Sequence, residues 1–305
     1  MATETESGTE TERTTATERD AGTRILDHER KEWLLGRSLY LVAGALLIFL
    51  WIPLAVMIIL SFTVNASTFF PFRGVTLAHY AATFADGALM TSLWHSVQVA
   101  TLAASIATVL GVLASFALAR YAFPLKETYR TFGILPMVIP GVVLGIALLI
   151  YFRTLLPQLF GIEITPGFWT VVLTHSVYGL PFVLLIVTSR LYTFDESLEE
   201  AARDLGADPL TVFRDITLPI VAPAIGAGFL FAWIRSFEDF IRAFFVRGTM
   251  DVLTTSMFSM IKYGTAPKMN AISSFIVFVI AVVLAVAMNV GNVTEMVAGT
   301  EGEEE

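Results

Sequence analysis

Residues 191–219 read LYTFDESLEEAARDLGADPLTVFRDITLP and join two long apolar runs of the chain. Two Ser/Thr-x-x-Glu pairs occur early in this segment, Thr193 with Glu196 and Ser197 with Glu200. This spacing is typical of helix starts, because the two side chains can cap each other's backbone amides. The segment is therefore predicted to contain a short helix that begins near Ser197.

The same segment predicts a turn and a second short helix. Gly206 suits the left-handed backbone position that ends a helix, and Asp208 followed by Pro209 is a typical helix start. One apolar stripe is expected on the second helix, formed by Leu210, Phe213 and Ile216. Residues 191–218 are thus predicted to form a helix–glycine–helix knuckle, and the alternative is an amphipathic segment that lies on a bilayer.

Apolar runs long enough to cross a membrane flank the knuckle on both sides. The 305 residues are 55% hydrophobic and only 15% charged, against about 25% charged in soluble domains. Such runs fit helices rather than barrel strands, because a helix satisfies its own backbone groups within the hydrocarbon layer. Six runs have this length: residues 39–62, 93–119, 132–152, 168–188, 219–245 and 271–289. The predicted fold is an all-α integral membrane protein with six transmembrane helices.

A polar tail lies at each end of the predicted membrane domain, which covers residues 38–290. Residues 1–37 repeat Thr, Glu and Arg and can bury too little apolar surface to fold, so we expect a disordered cytoplasmic tail. Residues 291–305 form an acidic tail. The two tails carry −3 and −5 of the net charge of −8, so the membrane domain itself is neutral.

The distribution of Lys and Arg predicts the orientation of the chain. If the N-terminus lies inside the cell, the inner segments hold twelve of the 19 Lys and Arg residues and the outer segments hold five. Cytoplasmic segments of membrane proteins carry an excess of these residues. Both termini of this multi-pass protein are therefore predicted to lie on the cytoplasmic side of the cell membrane, and so is the knuckle.

The sequence lacks the patterns of several enzyme classes. It contains no cysteine, which excludes disulfides, thiolate zinc sites and cysteine nucleophiles. No G-x-x-x-x-G-K-[ST] occurs, so the chain cannot hold ATP phosphates in a P-loop, and neither G-x-S-x-G nor H-E-x-x-H occurs. The four histidines show no metal-ligand spacing. We predict no catalytic residue, no metal site and no nucleic-acid partner.

The knuckle also contains a longer pattern, in which Glu-Ala-Ala is followed by Gly four residues later and by Ile-x-Leu-Pro after nine more. This pattern resembles the EAA motif of the permease subunits of bacterial and archaeal ABC importers, and the resemblance extends over most of residues 38–290. In that family the segment is a coupling helix that docks on a cytoplasmic ATPase subunit. The resemblance implies this coupling role for six residues: Glu200, Ala201, Ala202, Gly206, Leu218 and Pro219.

Two other segments, residues 236–240 and 254–264, resemble the polyamine permease branch of that family, in particular the second of its two homologous permeases. The resemblance implies part of a membrane pathway for a small solute, a polyamine such as spermidine or putrescine. An alternative is another solute of the same importer class, such as thiamine, an amino acid or an inorganic anion. A further alternative is an ion-coupled secondary transporter, but we find no convincing internal repeat of the kind these often show.

The resemblance also implies the partners of the chain. Two cytoplasmic ATPase subunits hold ATP and Mg in such importers, a homologous second permease completes the pathway, and an extracytoplasmic solute-binding protein delivers the solute. The chain itself is expected to need no cofactor and to catalyse no covalent chemistry.

Four charged residues lie within the fifth run, where each charge facing lipid would cost about 3 kcal/mol. They are Arg235, Glu238, Asp239 and Arg242. On one continuous helix their spacings of three and four residues would let them neutralise one another. One hypothesis is that Glu238 and Asp239, with Trp233 nearby, meet a cationic solute. The alternative is a self-paired structural cluster.

Overall fold

The computed structural model describes residues 37–65, 72–264, 267–282 and 285. The chain divides into two compact units, one formed by Leu77–Ile272 and the other by the residues before and after it. The predicted tails lie outside the described residues apart from Arg37, and so do most residues of the sixth apolar run beyond residue 282.

Helices make up most of both units within the described residues. The smaller unit contains α1 (Arg37–Phe62) and one antiparallel bridge between Thr63 and Val75. The other helices are α2 (Ala78–Phe84), α3 (Gly87–Arg120), α4 (Lys126–Val138), α5 (Gly141–Phe160), α6 (Phe168–Tyr192), α7 (Ser197–Asp204), α8 (Pro209–Phe237), α9 (Ile241–Val246), α10 (Leu253–Lys262) and α11 (Pro267–Val282). The all-α prediction is confirmed for the described part of the chain.

Five of these helices are long and apolar enough to cross a membrane: α1, α3, α5, α6 and α8. α11 is a shorter apolar helix in its described residues. Three of the predicted runs, residues 39–62, 93–119 and 168–188, each lie within one helix. The prediction of a multi-pass membrane protein is therefore confirmed.

The prediction of a single helix over residues 132–152 is wrong. α4 ends at Val138 and α5 begins at Gly141, with Ile139 and Pro140 in extended conformations between them. Proline has no N–H to donate, and its ring disfavours the helical conformation of the preceding residue. The chain therefore breaks its helix at this point.

The predicted boundaries of the helix over residues 219–245 are also wrong. α8 begins ten residues earlier, at Pro209, and ends at Phe237. A short non-helical segment, residues 238–240, separates it from α9. Both differences affect the candidate sites described below.

Three long helices, α3, α6 and α8, pack closely through small residues, and we call them the three-helix core. A Cβ atom added at Gly111 would lie 2.8 Å from the side chain of Val183. One added at Gly179 would lie 3.2 Å from Ala107 and 3.3 Å from Ala232. Small residues at such contacts allow membrane helices to approach closely enough for extensive van der Waals contact.

The segment after α8 folds back onto one end of the three-helix core. Its buried contacts with α3 and α6 form a cluster of Val99, Ala103, Val171, Val172, Ala243, Val246 and Val252. Thr170 donates a hydrogen bond from Oγ1 to the carbonyl of Val246 at 2.6 Å, and the N–H of Leu253 donates to Ser96 Oγ at 2.8 Å. These bonds hold α9 and the start of α10 against the core.

The close approach of α3 and α6 can be tested by adding one methyl group. Gly111→Ala is expected to lower the free energy of unfolding by about 1–3 kcal/mol, the usual cost of overpacking. The matched control is Gly226→Ala in α8, because no atom lies within 4 Å of a Cβ added there. Alanine is the better helix former, so the control should be as stable as the parent or more stable. Unfolding of both variants in detergent measures the difference, and equal stability would contradict the packing.

Candidate functional site

The knuckle folds as two helices joined at Gly206. α7 covers Ser197–Asp204, and Gly206 follows with a φ of +88°. The N–H of Ala207 donates to the carbonyl of Ala202 at 3.0 Å, and the N–H of Gly206 donates to that of Arg203 at 2.9 Å. This pair of bonds is a Schellman motif, which needs a left-handed residue at the position of Gly206. The prediction that Gly206 ends the first helix is confirmed.

The start of α7 differs from the prediction. Glu196 precedes the helix, and its side chain makes no capping hydrogen bond. The N–H of Ser197 donates instead to Asp195 Oδ1 at 3.0 Å. Hydrogen bonds from the side chain and backbone of Ser197 hold the pKa of Asp195 below its usual value. The capping boxes predicted from Thr193 and Ser197 are wrong, because the short side chain of Asp195 accepts from the first helical amide.

The start of the second helix agrees with the prediction. Asp208 Oδ1 accepts hydrogen bonds from the N–H groups of Leu210 at 2.9 Å and Thr211 at 3.0 Å, and Pro209 occupies the first helical position. These hydrogen bonds hold the pKa of Asp208 below its usual value, and the bond from the Thr211 backbone has the largest effect. The carboxylate therefore stays ionised at neutral pH, the form that accepts both bonds.

The second helix of the knuckle is continuous with the transmembrane helix that follows it. It passes through a π-turn at Phe213–Thr217 and continues as α8 to Phe237. Proline at position 219 cannot donate the next helical hydrogen bond, and π-turns are common where a helix adjusts its regular bonding. The structure places Leu218 and Pro219, predicted to join the knuckle to the transmembrane helix, within one continuous helix.

The π-turn interrupts the predicted apolar stripe of the second helix, which begins at Leu210. Val212 and Thr217 are the buried residues of this turn, whereas Leu210 and Phe213 are exposed. A π-turn brings residues five apart to the same side of a helix. The stripe was predicted from the regular α-helical period, which the π-turn interrupts.

The predicted coupling residues lie mostly on the surface of the knuckle. Ala202 is half-buried, and the other five are exposed: Glu200, Ala201, Gly206, Leu218 and Pro219. At the tip, Leu205 is 90% exposed and Leu210 is 73% exposed. Exposed apolar patches mark surfaces that contact another protein or a membrane.

A cavity of about 410 Å³ opens between the knuckle and the end of α3. Its charged lining residues are Arg120, Glu196, Glu199, Glu200 and Arg203. Glu199 is buried, and the motif gives it no role because the glutamate of the motif is its neighbour Glu200. The pair of consecutive acids could have indicated it. Consecutive residues of a helix point in different directions, so Glu199 and Glu200 cannot both face the same partner.

The four charged residues of the fifth run do not share one helix, so that prediction is wrong. α8 ends before Glu238, and α9 begins at Ile241. Arg235 forms an ion pair with Glu238, and Arg242 forms one with Asp239 at 2.5 Å. The N–H of Arg242 also donates to Asp239 Oδ1 at 2.9 Å. Asp239 thus caps the first turn of α9, which redirects the backbone after α8.

Asp239 belongs to the interior of the chain. Its side chain is 3% exposed, and the carbonyl of Asp239 accepts a hydrogen bond from Thr254 Oγ1 at 2.9 Å. The guanidinium of its partner Arg242 lies 3.4 Å from the centre of the Tyr178 ring. A carboxylate so enclosed and paired has a structural role in this chain.

Glu238 and Trp233 lie in more open surroundings. The side chain of Glu238 is 50% exposed, and its partner Arg235 also donates to the hydroxyl of Tyr178. Trp233 stacks almost parallel on Phe237, with 5.1 Å between ring centres. Of the three predicted pathway residues, the structure leaves Glu238 and Trp233 accessible from outside the chain and encloses the third.

Comparison with known proteins identifies a family and several relatives. Residues 107–293 match the family described as binding-protein-dependent transport system inner membrane component. The chain is 35% identical over 245 residues to the spermidine/putrescine transport system permease protein PotC of Escherichia coli K12, covering 80% of this chain and 89% of the relative. It is 33% identical to the putrescine transport system permease protein PotI of the same organism, covering 77% and 84%.

The fold is also similar to that of solved ABC transporters. A chain of a bacterial ABC transporter involved in the import of the acidic polysaccharide alginate superimposes with a TM-score of 0.67 at 14% identity, covering 85% of this chain and 97% of that one. A chain of the MetNI methionine ABC transporter in an inward-facing conformation gives a TM-score of 0.50 at 17% identity, covering 62% and 89%.

The different surroundings of the two acids predict different effects on stability. Asp239→Asn is expected to lower the free energy of unfolding by about 3 kcal/mol or more, because it leaves the buried charge of Arg242 unpaired. Glu238→Gln is the matched control, and it should cost about 1 kcal/mol or less, as for an exposed ion pair. Unfolding in detergent measures both. A larger effect of Glu238→Gln would contradict the structural role of Asp239.

Proposed function

The chain belongs to the family of binding-protein-dependent transport system inner membrane components, and we propose that within an ATP-driven importer it forms part of the pathway for a polyamine such as spermidine or putrescine. The observation that carries this proposal is the identity of 35% to a spermidine/putrescine permease over 89% of that relative. The residues of α8 support the same solute class.

A polyamine is a linear cation with several ammonium groups, so its pathway is expected to present acidic and aromatic groups to the solute. Glu238 supplies a half-exposed carboxylate next to the end of α8. The stacked rings of Trp233 and Phe237 supply aromatic faces, which attract ammonium groups. Arg235 neutralises Glu238 when no solute is present, which offsets the cost of a lone charge at this depth.

The proposed topology has six spans and both termini in the cytoplasm. α1, α3, α5, α6 and α8 supply five spans, and the sixth apolar run, of which α11 covers the described start, supplies the last. The excess of Lys and Arg in the inner segments supports this orientation. The knuckle then projects into the cytoplasm, and Glu238 lies in the outer part of the membrane.

We propose that the knuckle is the surface that receives the cytoplasmic ATPase subunit. The exposed residues Glu200, Ala201 and Gly206 offer small side chains and one charge, and Leu205 and Leu210 add an apolar tip. ATP and Mg are bound by two such ATPase subunits rather than by this chain. A homologous second permease and an extracytoplasmic solute-binding protein complete the assembly.

Uptake by cells with and without this chain tests the proposal. Cells that lack it are expected to lose uptake of labelled putrescine and spermidine, while uptake of thiamine and sulfate is unchanged. Depletion of ATP should abolish the same uptake. Loss of thiamine or sulfate uptake instead would keep the class of importer and refute the solute, and uptake driven by an ion gradient without ATP would refute the class.

The turn at Gly206 predicts how substitutions affect coupling. Gly206→Val is expected to abolish solute uptake with membrane insertion intact, because a β-branched residue is strongly disfavoured at a φ of +88°. The matched variant is Gly206→Asn, since asparagine adopts this conformation readily and no atom lies within 4 Å of an added Cβ. Uptake by the two variants, normalised to the amount in the membrane, measures the effect. Full uptake by Gly206→Val would contradict the role of the knuckle.

The proposed contact of Glu238 with the solute predicts a change in apparent affinity. Glu238→Gln is expected to raise the half-saturating polyamine concentration about five-fold, which corresponds to about 1 kcal/mol for a half-exposed charge pair. Glu163→Gln is the control, because Glu163 is an exposed acid outside the helices. Uptake measured against solute concentration distinguishes them. An unchanged half-saturating concentration in Glu238→Gln would refute the contact.

A further inference from the structure

Glu199 is the buried acid of the knuckle. The side chains of the neighbouring acids Glu196 and Glu200 are exposed, whereas Glu199 is 8% exposed. Burying a carboxylate is costly unless hydrogen bonds or opposite charges stabilise it. The groups that stabilise the Glu199 carboxylate therefore indicate the role of this residue.

Three side chains from different parts of the chain donate hydrogen bonds to Glu199. Arg120 Nη2 and Thr217 Oγ1 donate to Oε1 at 2.8 and 2.6 Å, and Arg203 Nη2 donates to Oε2 at 3.2 Å. Arg120 is the last residue of α3, Arg203 belongs to α7, and Thr217 is the last residue of the π-turn within α8. One carboxylate thus connects the knuckle to two helices of the three-helix core.

The partner on α3 is itself held in place. Arg120 forms a second ion pair with Glu196 at 2.7 Å, and its guanidinium lies 5.0 Å from the centre of the Phe194 ring. A guanidinium that bonds two carboxylates and faces a ring has little freedom to move. The connection between α3 and α7 is therefore more rigid than an isolated surface ion pair, which typically contributes little.

The partner on α8 depends on the π-turn. Thr217 is 3% exposed and lies on the same side as Val212, five residues earlier. In a regular α-helix residues five apart point in different directions, and the π-turn aligns them. The irregular turn thus directs the Thr217 hydroxyl to Glu199.

We propose that Glu199 is a positioning residue that fastens the knuckle to α3 and α8, so that movement of the knuckle reaches both helices at once. This inference rests on the proposed function, in which an ATPase subunit moves the knuckle. Glu200, the exposed neighbour, faces the partner subunit, and Glu199 transmits the displacement within the chain. The consecutive acids thus have separate tasks.

The test uses the complete importer, with both permeases, the ATPase subunits and the binding protein, reconstituted in vesicles. Glu199→Gln keeps the size of the side chain and removes the charge that binds Arg120 and Arg203. Polyamine uptake per assembled complex is expected to fall about ten-fold, within the range for mutations in a coupling network. ATP hydrolysis should continue, but the solute-loaded binding protein should no longer stimulate it. Glu127→Gln, which removes an exposed cytoplasmic carboxylate of α4, is the control and should behave as the parent.

A second variant keeps the test decisive if Glu199→Gln does not assemble. Thr217→Val removes the hydroxyl bond to Glu199 with little change of shape, and it should show a smaller loss of uptake with the same loss of stimulation. Normal stimulation in both variants, or uptake that falls only with the amount of assembled complex, would overturn the proposal. So would failure of both variants to assemble. Failure of the parent complex to take up polyamines would refute the proposed function instead.

Discussion

The close contact of α3, α6 and α8 is the constraint on which the rest of the structure depends. Lipid tails are as apolar as leucine side chains, so helices in a membrane associate mainly through van der Waals contact. At Gly179 the chain omits a side chain, and Ala107 and Ala232 approach from both neighbouring helices. This contact fixes the directions of all three helices, and the knuckle, α9 and α10 are held by bonds to their ends.

The buried ion pair of Asp239 and Arg242 lies where helices are interrupted. Arg242 follows the break between α8 and α9, and its guanidinium lies 3.3 Å from the position of a Cβ added at Gly141, the first residue after the break between α4 and α5. A side chain at position 141 would press on the buried ion pair with Asp239. The two interruptions thus meet at one place, where a glycine leaves room for a charge that lipid would not accept.

The sequence predicted the helical class, three complete spans and the turn at Gly206, because hydropathy and a glycine at a left-handed position are local signals. It did not predict the helix breaks at Pro140 and at residues 238–240, since each lies inside a run whose length and overall hydropathy suit a single span. The π-turn at Phe213–Thr217 was not predicted, because a proline such as Pro219 is also common in the first turn of a new helix. The role of Glu199 depends on Arg120, 79 residues away, and no spacing rule could reveal that contact.

The second helix of the knuckle and the transmembrane helix are one continuous helix, which has a geometric consequence. α8 has 29 residues and is therefore about 43 Å long, with its first turn in the tip of the knuckle and Trp233 near its far end. α3 and α6 contact it from Val221, near its middle, to Ser236. If it tilts by about 10° about its midpoint, each end moves by about 4 Å and the two ends move in opposite directions. A push on one face of the membrane is thereby converted into a displacement of opposite sense near the other face.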